Sequence, residues 1–351
     1  DEAAKSGLKS KNLSDYHFDE LLKESNGNIL QATILRYQKM LTDYQVTSGR
    51  IGVYGKIDAG TSYAIFSGLK EKFSDLEIVG QLGDSLLLQA MATKDSEEVE
   101  RIRQMGKITT AVVGKVAEFL TSHKSKNGVL TSSNGEPLVI GVIKQKINLW
   151  LAQFGVENPE GTILAIGRDA GVPHSSGNDK DLLSLGQTII FDIFPCEAGG
   201  GYFYDFTRTW CLGYAPDAVL ALYEDVLEVF TQIMAELEVD ALCYKYQDRT
   251  CELFEERGHK TIKSSPQTQE GYVHSLGHGV GLYIHEYPRF SSVTKEDRLS
   301  PGSIITVEPG LYYPERGMGV RLEDTVYVRP DGEIEVLVEY PLDLVLPLQQ
   351  T

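Results

Sequence analysis

TIIFDIFPCEAGGGYFYDFTRTW (188–210) is the stretch whose reading decides the fold. Two runs rich in β-branched and aromatic residues, TIIFDIF (188–194) and GYFYDFTRTW (201–210), read as neighbouring strands. Gly199, Gly200 and Gly201 between them permit a tight reversal. Each run carries one aspartate, Asp192 and Asp205, so the reversal brings two carboxylates into one space. Unpaired, two such anions repel and raise each other's pKa. A bound cation removes that conflict and favours the ionised forms. A plainer alternative also exists: Asp205 pairs with Arg208, and Asp192 caps a turn.

Further strand-like runs follow outward from this pair: TILAIG (162–167) before it, then VGLYIHE (280–286), SIITVEPGLYY (303–313), GVRLEDTVYV (319–328) and IEVLV (334–338). Helical periodicity marks a long helix from Ser96, with apolar positions Val99, Ile102, Met105, Ile108, Val112, Val113, Val116 and Phe119. Helices are also expected over 142–154, 217–238 and 240–257. Strands in the remainder, with these helices packed on their convex side, predict an α+β domain: a curved antiparallel sheet with outer helices, spanning 96–351. Residues 1–95 alternate differently. NGNILQATILRYQKMLTDY (26–44) reads as an amphipathic helix with Ile29, Ile34, Leu35, Tyr37 and Leu41 inward, RIGVYGKI (50–57) as strand, SYAIFSGLKEKF (62–73) as helix and LEIVG (76–80) as strand. That pattern suits a small, abbreviated α/β domain.

The formal net charge of -17, from 33 basic and 50 acidic residues, argues against a nucleic-acid partner, as does the absence of a basic cluster with interleaved aromatics. No apolar run is long enough to span a membrane. The opening DEAAKSGLKSKN has neither an initiator Met nor an apolar signal core, as in a trimmed or processed terminus. Four cysteines, Cys196, Cys211, Cys243 and Cys251, form no C-x-x-C pair and point to a reducing, cytoplasmic setting. Cys196 and Cys211 flank the expected hairpin, so a disulfide there stays open.

Beyond the two aspartates, His278, Glu308 and Glu323 each sit in a glycine- or proline-marked segment. Four carboxylates and an imidazole form a ligand set for divalent metals, which points to hydrolysis by activated water. DFTRT (205–209), VHSLGHGVGLYIHE (273–286), TVEPG (306–310) and VRLED (320–324), in this order, closely resemble the pita-bread metallopeptidases, the family of methionine aminopeptidase, aminopeptidase P, prolidase and creatinase. The resemblance covers roughly residues 97–340, and the small leading domain resembles that of the proline-specific branch. It implies a dinuclear site of Asp192, Asp205, His278, Glu308 and Glu323. Asp205 and Glu323 would bridge two divalent ions, Mn foremost with Co, Zn or Fe as alternatives, and Glu308 would also carry protons. One departure stands out. The family's first aspartate lies in a D-x-G context, whereas Asp192 is followed by Ile193, Phe194 and Pro195, on a longer link to Asp205.

The resemblance further assigns His174, His274, His285 and Arg321 to the substrate pocket of the proline-cleaving branch. His274 would contact the substrate carbonyl; His285 and Arg321 would serve the prolyl residue. The implied activity is Xaa-Pro aminopeptidase, with Xaa-Pro dipeptidase as the alternative; a metal-free creatinase-like hydrolase or a binding-only relative is the reading from another class. Proline-containing peptides are the implied partners, and a homodimer the implied assembly.

Overall fold

The computed structural model describes residues 2–55, 58–80 and 86–348. The chain divides into two compact units, Asp1–Leu87 and Leu88–Thr351. The helix start used above as the boundary lies within the second unit.

In the first unit, helices α1 (Phe18–Glu24) and α2 (Ile29–Asp43) precede strand β1 (Gly49–Val53), helix α3 (Ala59–Lys72) and strand β2 (Leu76–Gly80). β1 and β2 pair in parallel, as a β-α-β crossover requires. Asn28 caps α2 by accepting from Gln31 N, so the helix starts at Ile29, the first of its expected apolar positions, rather than at Asn26. Ile34 faces the small core with Leu69, Leu76 and Ile78, and Leu41 packs partly against it. Ile29 and Tyr37, expected inward, are exposed; α2 packs against α1 and α3, and these two residues lie off that contact. Lys56 and Ile57, at the end of the expected 50–57 strand, lie outside the described residues.

A short helix, α4 (Leu86–Met91), leads to α5 (Ser96–Thr121). The cap of α5 is Asp95 rather than Ser96: its side chain accepts from Glu97 N and Glu98 N, and Glu98 returns to Asp95 N. Then come the hairpin β3 (Lys124–Lys126)–β4 (Val129–Thr131), α6 (Ile140–Gln153), β5 (Val156–Glu157), β6 (Thr162–Ile166), β7 (Thr188–Ile193), β8 (Cys196–Glu197) and β9 (Phe206–Leu212). Helices α7 (Asp217–Glu236) and α8 (Cys243–Glu256) follow. The chain closes with β10 (His278–Gly279), β11 (Glu286–Arg289), β12 (Ile304–Val307), β13 (Gly310–Tyr313), β14 (Met318–Arg321), β15 (Asp324–Val328), β16 (Ile334–Val336) and β17 (Val345–Leu346).

Two larger sheets carry the second unit, in strand orders β17-β9-β7-β6 and β11-β10-β12-β15-β16, with the β13-β14 ribbon beside them. Pairing is antiparallel except β17 on β9. Several expected strands are interrupted. VGLYIHE is mostly irregular, with pairing only at Glu286; Pro309 splits 303–313 between β12 and β13, and Leu322–Glu323 split 319–328 between β14 and β15. Each break is where a candidate ligand or pocket residue leaves the ladder.

The two-residue period of β7 sorts its side chains. Ile189, Phe191 and Ile193 join α5 and α6 in one core, which leaves Ile190 and Asp192 on the other face. On β9, Phe206, Trp210 and Leu212 enter the same core, and Thr207 and Thr209 face away with Asp192. A second core unites α7 and α8 with β12 to β15. The site lies on the face that the helices leave free. All four cysteines are buried and free, so Cys196 and Cys211 form no disulfide.

Candidate metal centre and active site

Five strand ends converge on one polar point. Asp192 lies on β7, opposite Thr207 of β9, and Asp205 immediately precedes β9. His278 lies on β10, Glu308 between β12 and β13, and Glu323 between β14 and β15. A lone bridge between Thr207 and Glu323 ties the four-stranded sheet to the β14–β15 corner. All five side chains are buried or nearly so. Ligand atoms of Asp205, His278 and Glu323 lie within 4.8 Å of one another, a group able to hold a metal ion. His278 Nε2 is 3.6 Å from Asp205 Oδ2 and 3.4 Å from Glu308 Oε1. Of the five positions expected from the sequence, Asp205, His278 and Glu323 form the close group, Glu308 stands against His278, and Asp192 is turned to Arg321.

The plainer pairings do not form. Arg208 binds Asp324, at 2.8 Å, rather than Asp205. Asp192 sits inside a strand, not at a turn, and its Oδ2 accepts from Arg321 Nη2 at 2.5 Å.

Four carboxylates here face one guanidinium. Burial, then repulsion from Asp192 and Glu308, holds the Asp205 carboxyl well above its ordinary range. Glu323 is raised likewise by burial and by Asp205. Glu308 is pushed up to about 8, again chiefly by burial. Two oxygens, Asp192 Oδ1 and Glu323 Oε1, are buried without any hydrogen-bond partner. Such groups are costly to bury unless something binds them. A divalent cation fits the orphaned oxygens, the excess of negative charge and the donor set together.

His278 is prepared as a ligand. Its Nδ1 lies 3.1 Å from Gly279 O, which fixes the proton there and leaves the Nε2 lone pair toward the acids. Burial, with His285 and Arg289 nearby, lowers its pKa to about 3, so the ring is neutral at physiological pH.

The remaining expected residues surround this cluster. His274 Nδ1 donates to Ser275 O at 2.7 Å, and its Nε2 faces Tyr312 Oη at 2.8 Å. Burial and Arg321 push His274 down to about 3. Arg321 donates from Nη1 to Tyr312 Oη at 2.8 Å and to Pro173 O at 3.3 Å. It therefore ties Asp192, Tyr312 and the loop of the exposed His174 into one assembly. The His285 ring lies 4.3 Å from that of His278, centroid to centroid, and burial lowers its pKa. Cys196 is buried, and burial raises its thiol.

Sequence reasoning missed four supports. Tyr312 links His274 to Arg321. Thr207 Oγ1 donates to Glu323 Oε2 at 2.6 Å, Thr209 Oγ1 exchanges bonds with the Arg321 backbone, and Thr306 Oγ1 accepts from His278 N. The alternation in DFTRT was an available signal for the two β9 threonines, since Asp205, Thr207 and Thr209 share a face. No spacing pointed to Tyr312, because Pro309 breaks its strand away from Glu308.

Residues 100–330 match the model of metallopeptidase family M24. The chain belongs to that family. Among relatives of this M24 peptidase, the Xaa-Pro dipeptidase of Pyrococcus furiosus is 28% identical over 316 residues, covering 89% of this chain and 80% of that one. An uncharacterized peptidase of Bacillus subtilis, YqhT, is 25% identical over 358 residues, covering 97% and 88%. In fold, an X-Pro aminopeptidase from Thermotoga maritima superposes with a TM-score of 0.69 at 23% identity, over 89% of this chain and 79% of that one. A dipeptidase from Pyrococcus horikoshii gives 0.71 at 23%, over 89% and 78%. These likenesses establish the pita-bread α+β architecture.

Proposed function

We propose that this M24 peptidase hydrolyses the bond between an N-terminal residue and proline, as an Xaa-Pro aminopeptidase. The observation that carries the reading is the buried five-residue cluster with two orphaned carboxylate oxygens. Asp192, Asp205, His278, Glu308 and Glu323 would hold two divalent ions, with manganese the first candidate. When bound, such ions lower the pKa of water and stabilise negative charge on the substrate carbonyl oxygen. Glu308 would take the proton of the attacking water and return it to the leaving prolyl nitrogen, from a buried position 3.4 Å from His278 Nε2. His274 is held neutral, with both ring nitrogens engaged by Ser275 O and Tyr312 Oη, so it would reach the substrate carbonyl only by exchanging one of these partners. Arg321 keeps Asp192 in place. His174 and His285 line the pocket for the substrate's flanking groups. A tertiary X–Pro amide has no N–H, so recognition falls on ring shape, carbonyl polarity and whatever follows the proline.

Retention of all five ligand positions weighs against a metal-free creatinase-like or binding-only role. The acidic balance favours a peptide over a nucleic acid as partner. Four buried free thiols suit a reducing, cytoplasmic compartment, and among the described residues no helix is long and apolar enough to cross a membrane. A homodimer is the proposed assembly.

A dipeptidase reading is favoured by one observation, the similarity to proteins named Xaa-Pro dipeptidase from two Pyrococcus species. The test compares X–Pro, X–Pro–Y and X–Ala–Y with metal-stripped protein, alone and resupplied with Mn, Co or Zn. Metal-dependent release of X from X–Pro–Y and not X–Ala–Y is expected. Cleavage confined to X–Pro would replace aminopeptidase by dipeptidase. Absence of cleavage with metal bound would overturn the substrate assignment.

A further inference from the structure

Residues 280–285, which carry His285, form no helix or strand. Their backbone is tied to neighbouring segments by Val280 N to Ile304 O and Phe203 N to Gly281 O, and across itself by Gly281 N to Tyr283 O. What lies beneath the loop is a carboxylate. Glu286, the residue after His285, is fully buried. Its Oε1 accepts from Tyr283 N at 2.9 Å, so the side chain hydrogen-bonds the backbone of its own loop. Its Oε2 accepts from Lys94 Nζ at 2.7 Å. Lys94 is equally enclosed, with 2% of its side chain exposed, and also donates to Met91 O at 2.8 Å. A Cβ at Gly281 would stand 2.4 Å from Glu286 Oε2, so the loop closes on the carboxylate itself.

The Lys94 end of this pair is firmly set. Lys94 N donates to Gly302 O, and the next residue, Asp95, caps α5. The first turns of α5 hold the loop's other neighbour as well. Glu98 accepts from Tyr202 Oη, and Arg101 pairs with Glu197 through two nitrogens. Glu197 and Tyr202 belong to the lengthened link between Asp192 and Asp205, the link whose Phe203 donates to Gly281 O. Residues 94–101 thus anchor the His285 loop twice, once by a buried ion pair and once through the link.

A buried ion pair is a poor source of stability, because desolvation offsets most of the attraction. Its use here is geometric. We propose that Lys94 and Glu286 are positioning residues that set the His285 imidazole against the substrate pocket. The proposal rests on the X–Pro reading for its kinetic test and on histidine geometry alone for its spectroscopic one.

The experiment is a set of variants, Glu286→Gln, Lys94→Arg and the combined Lys94→Met/Glu286→Gln, each made with and without His285→Ala. The combined variant leaves no unpaired charge, so it keeps the fold where a single truncation fails. Glu286→Gln and the combined variant are expected to bind metal as the parent does and to lose kcat/KM by about tenfold or more, since small misplacements are costly. Lys94→Arg should recover most of the activity. In the His285→Ala background the same changes should have almost no further effect. Full multiplication of the losses in that background would overturn the proposal, because the pair would then act on structure at large. Independently of turnover, the His285 imidazole resonance should shift in Glu286→Gln while those of His174 and His123 stay in place. An unmoved His285 signal would overturn the proposal even if the X–Pro reading itself failed.

Discussion

Single residues in this site are tuned by burial more than by partners. Glu308 is pushed up to about 8, and Asp205 and Glu323 are held well above their ordinary range, first by burial and then by the four carboxylates sharing a pocket with one close guanidinium. The consequence has a definite sign. In metal-stripped protein these groups hold more protons folded than unfolded, so their contribution to stability falls as pH rises. For Glu308 the fall begins above its ordinary value of 4.5 and is complete past about 8. Urea denaturation of stripped protein at about pH 5 and about pH 8 should show the lower midpoint at the higher pH. Saturating Mn should reverse the order, since the metal needs the deprotonated forms. The buried neutral His274 and His278 act in the opposite direction over this range, so equal pH dependence in stripped parent and stripped Glu308→Gln is the result that would contradict the raised Glu308 value. Glu308→Gln keeps the shape and removes the base. Turnover should fall by roughly 100-fold or more, the usual weight of a positioned general base. Thermal unfolding of metal-stripped Glu308→Gln should match or exceed that of the stripped parent, because one buried acid is gone.

At the scale of elements, the site depends on strands approaching closely where a side chain would intrude. Gly277, just before β10, would place a Cβ 2.0 Å from Thr306 O. That contact is backbone and cannot yield without parting β10 from β12, the two strands that present His278 and Glu308. Gly277→Ala is therefore expected to weaken metal binding strongly while leaving most secondary structure in place. Isothermal titration with Mn, beside circular dichroism, checks it; unchanged affinity would show that the strands tolerate the shift. Gly171 and Gly319 play a similar part where the segment before His174 meets the β13–β14 ribbon, each with backbone within 2.6 Å of a notional Cβ.

At the scale of the second unit, Arg208 is the fastening between its sheets. Its guanidinium donates to Asp324 and to the carbonyl oxygens of Thr207, Glu323, Tyr340 and Pro341. It is 1% exposed, so no water can replace those bonds. Arg208→Met should cost about 3–5 kcal/mol, the range for stripping one partner from a buried pair. Guanidinium denaturation measures it. A loss below about 1 kcal/mol would mean that the site's acids relax around the gap.

Much of this was legible in the chain. The strand-like runs TIIFDIF and GYFYDFTRTW marked Asp192 and Asp205 as neighbours, and the same alternation carried an unused signal for Thr207 and Thr209. The apolar stripe of α5 was readable from Val99 to Val116, since a helix's buried face is a local property of spacing. His278, Glu308 and Glu323 were marked by the glycines and proline that interrupt their strands. Other features were decided only by tertiary structure. Ile29 and Tyr37 look inward by periodicity, yet α1 and α3, which pack against α2, leave them exposed. VGLYIHE has the composition of a strand, but a buried Glu286 paired with distant Lys94 folds it into a loop. Arg208 lies three residues from Asp205 but pairs with Asp324, because alternation turns them to opposite faces of β9. Local spacing determined which side chains could share a face. Which partners met across that face depended on contacts more than a hundred residues apart in sequence, as for Arg208 with Asp324, and these no local pattern encodes.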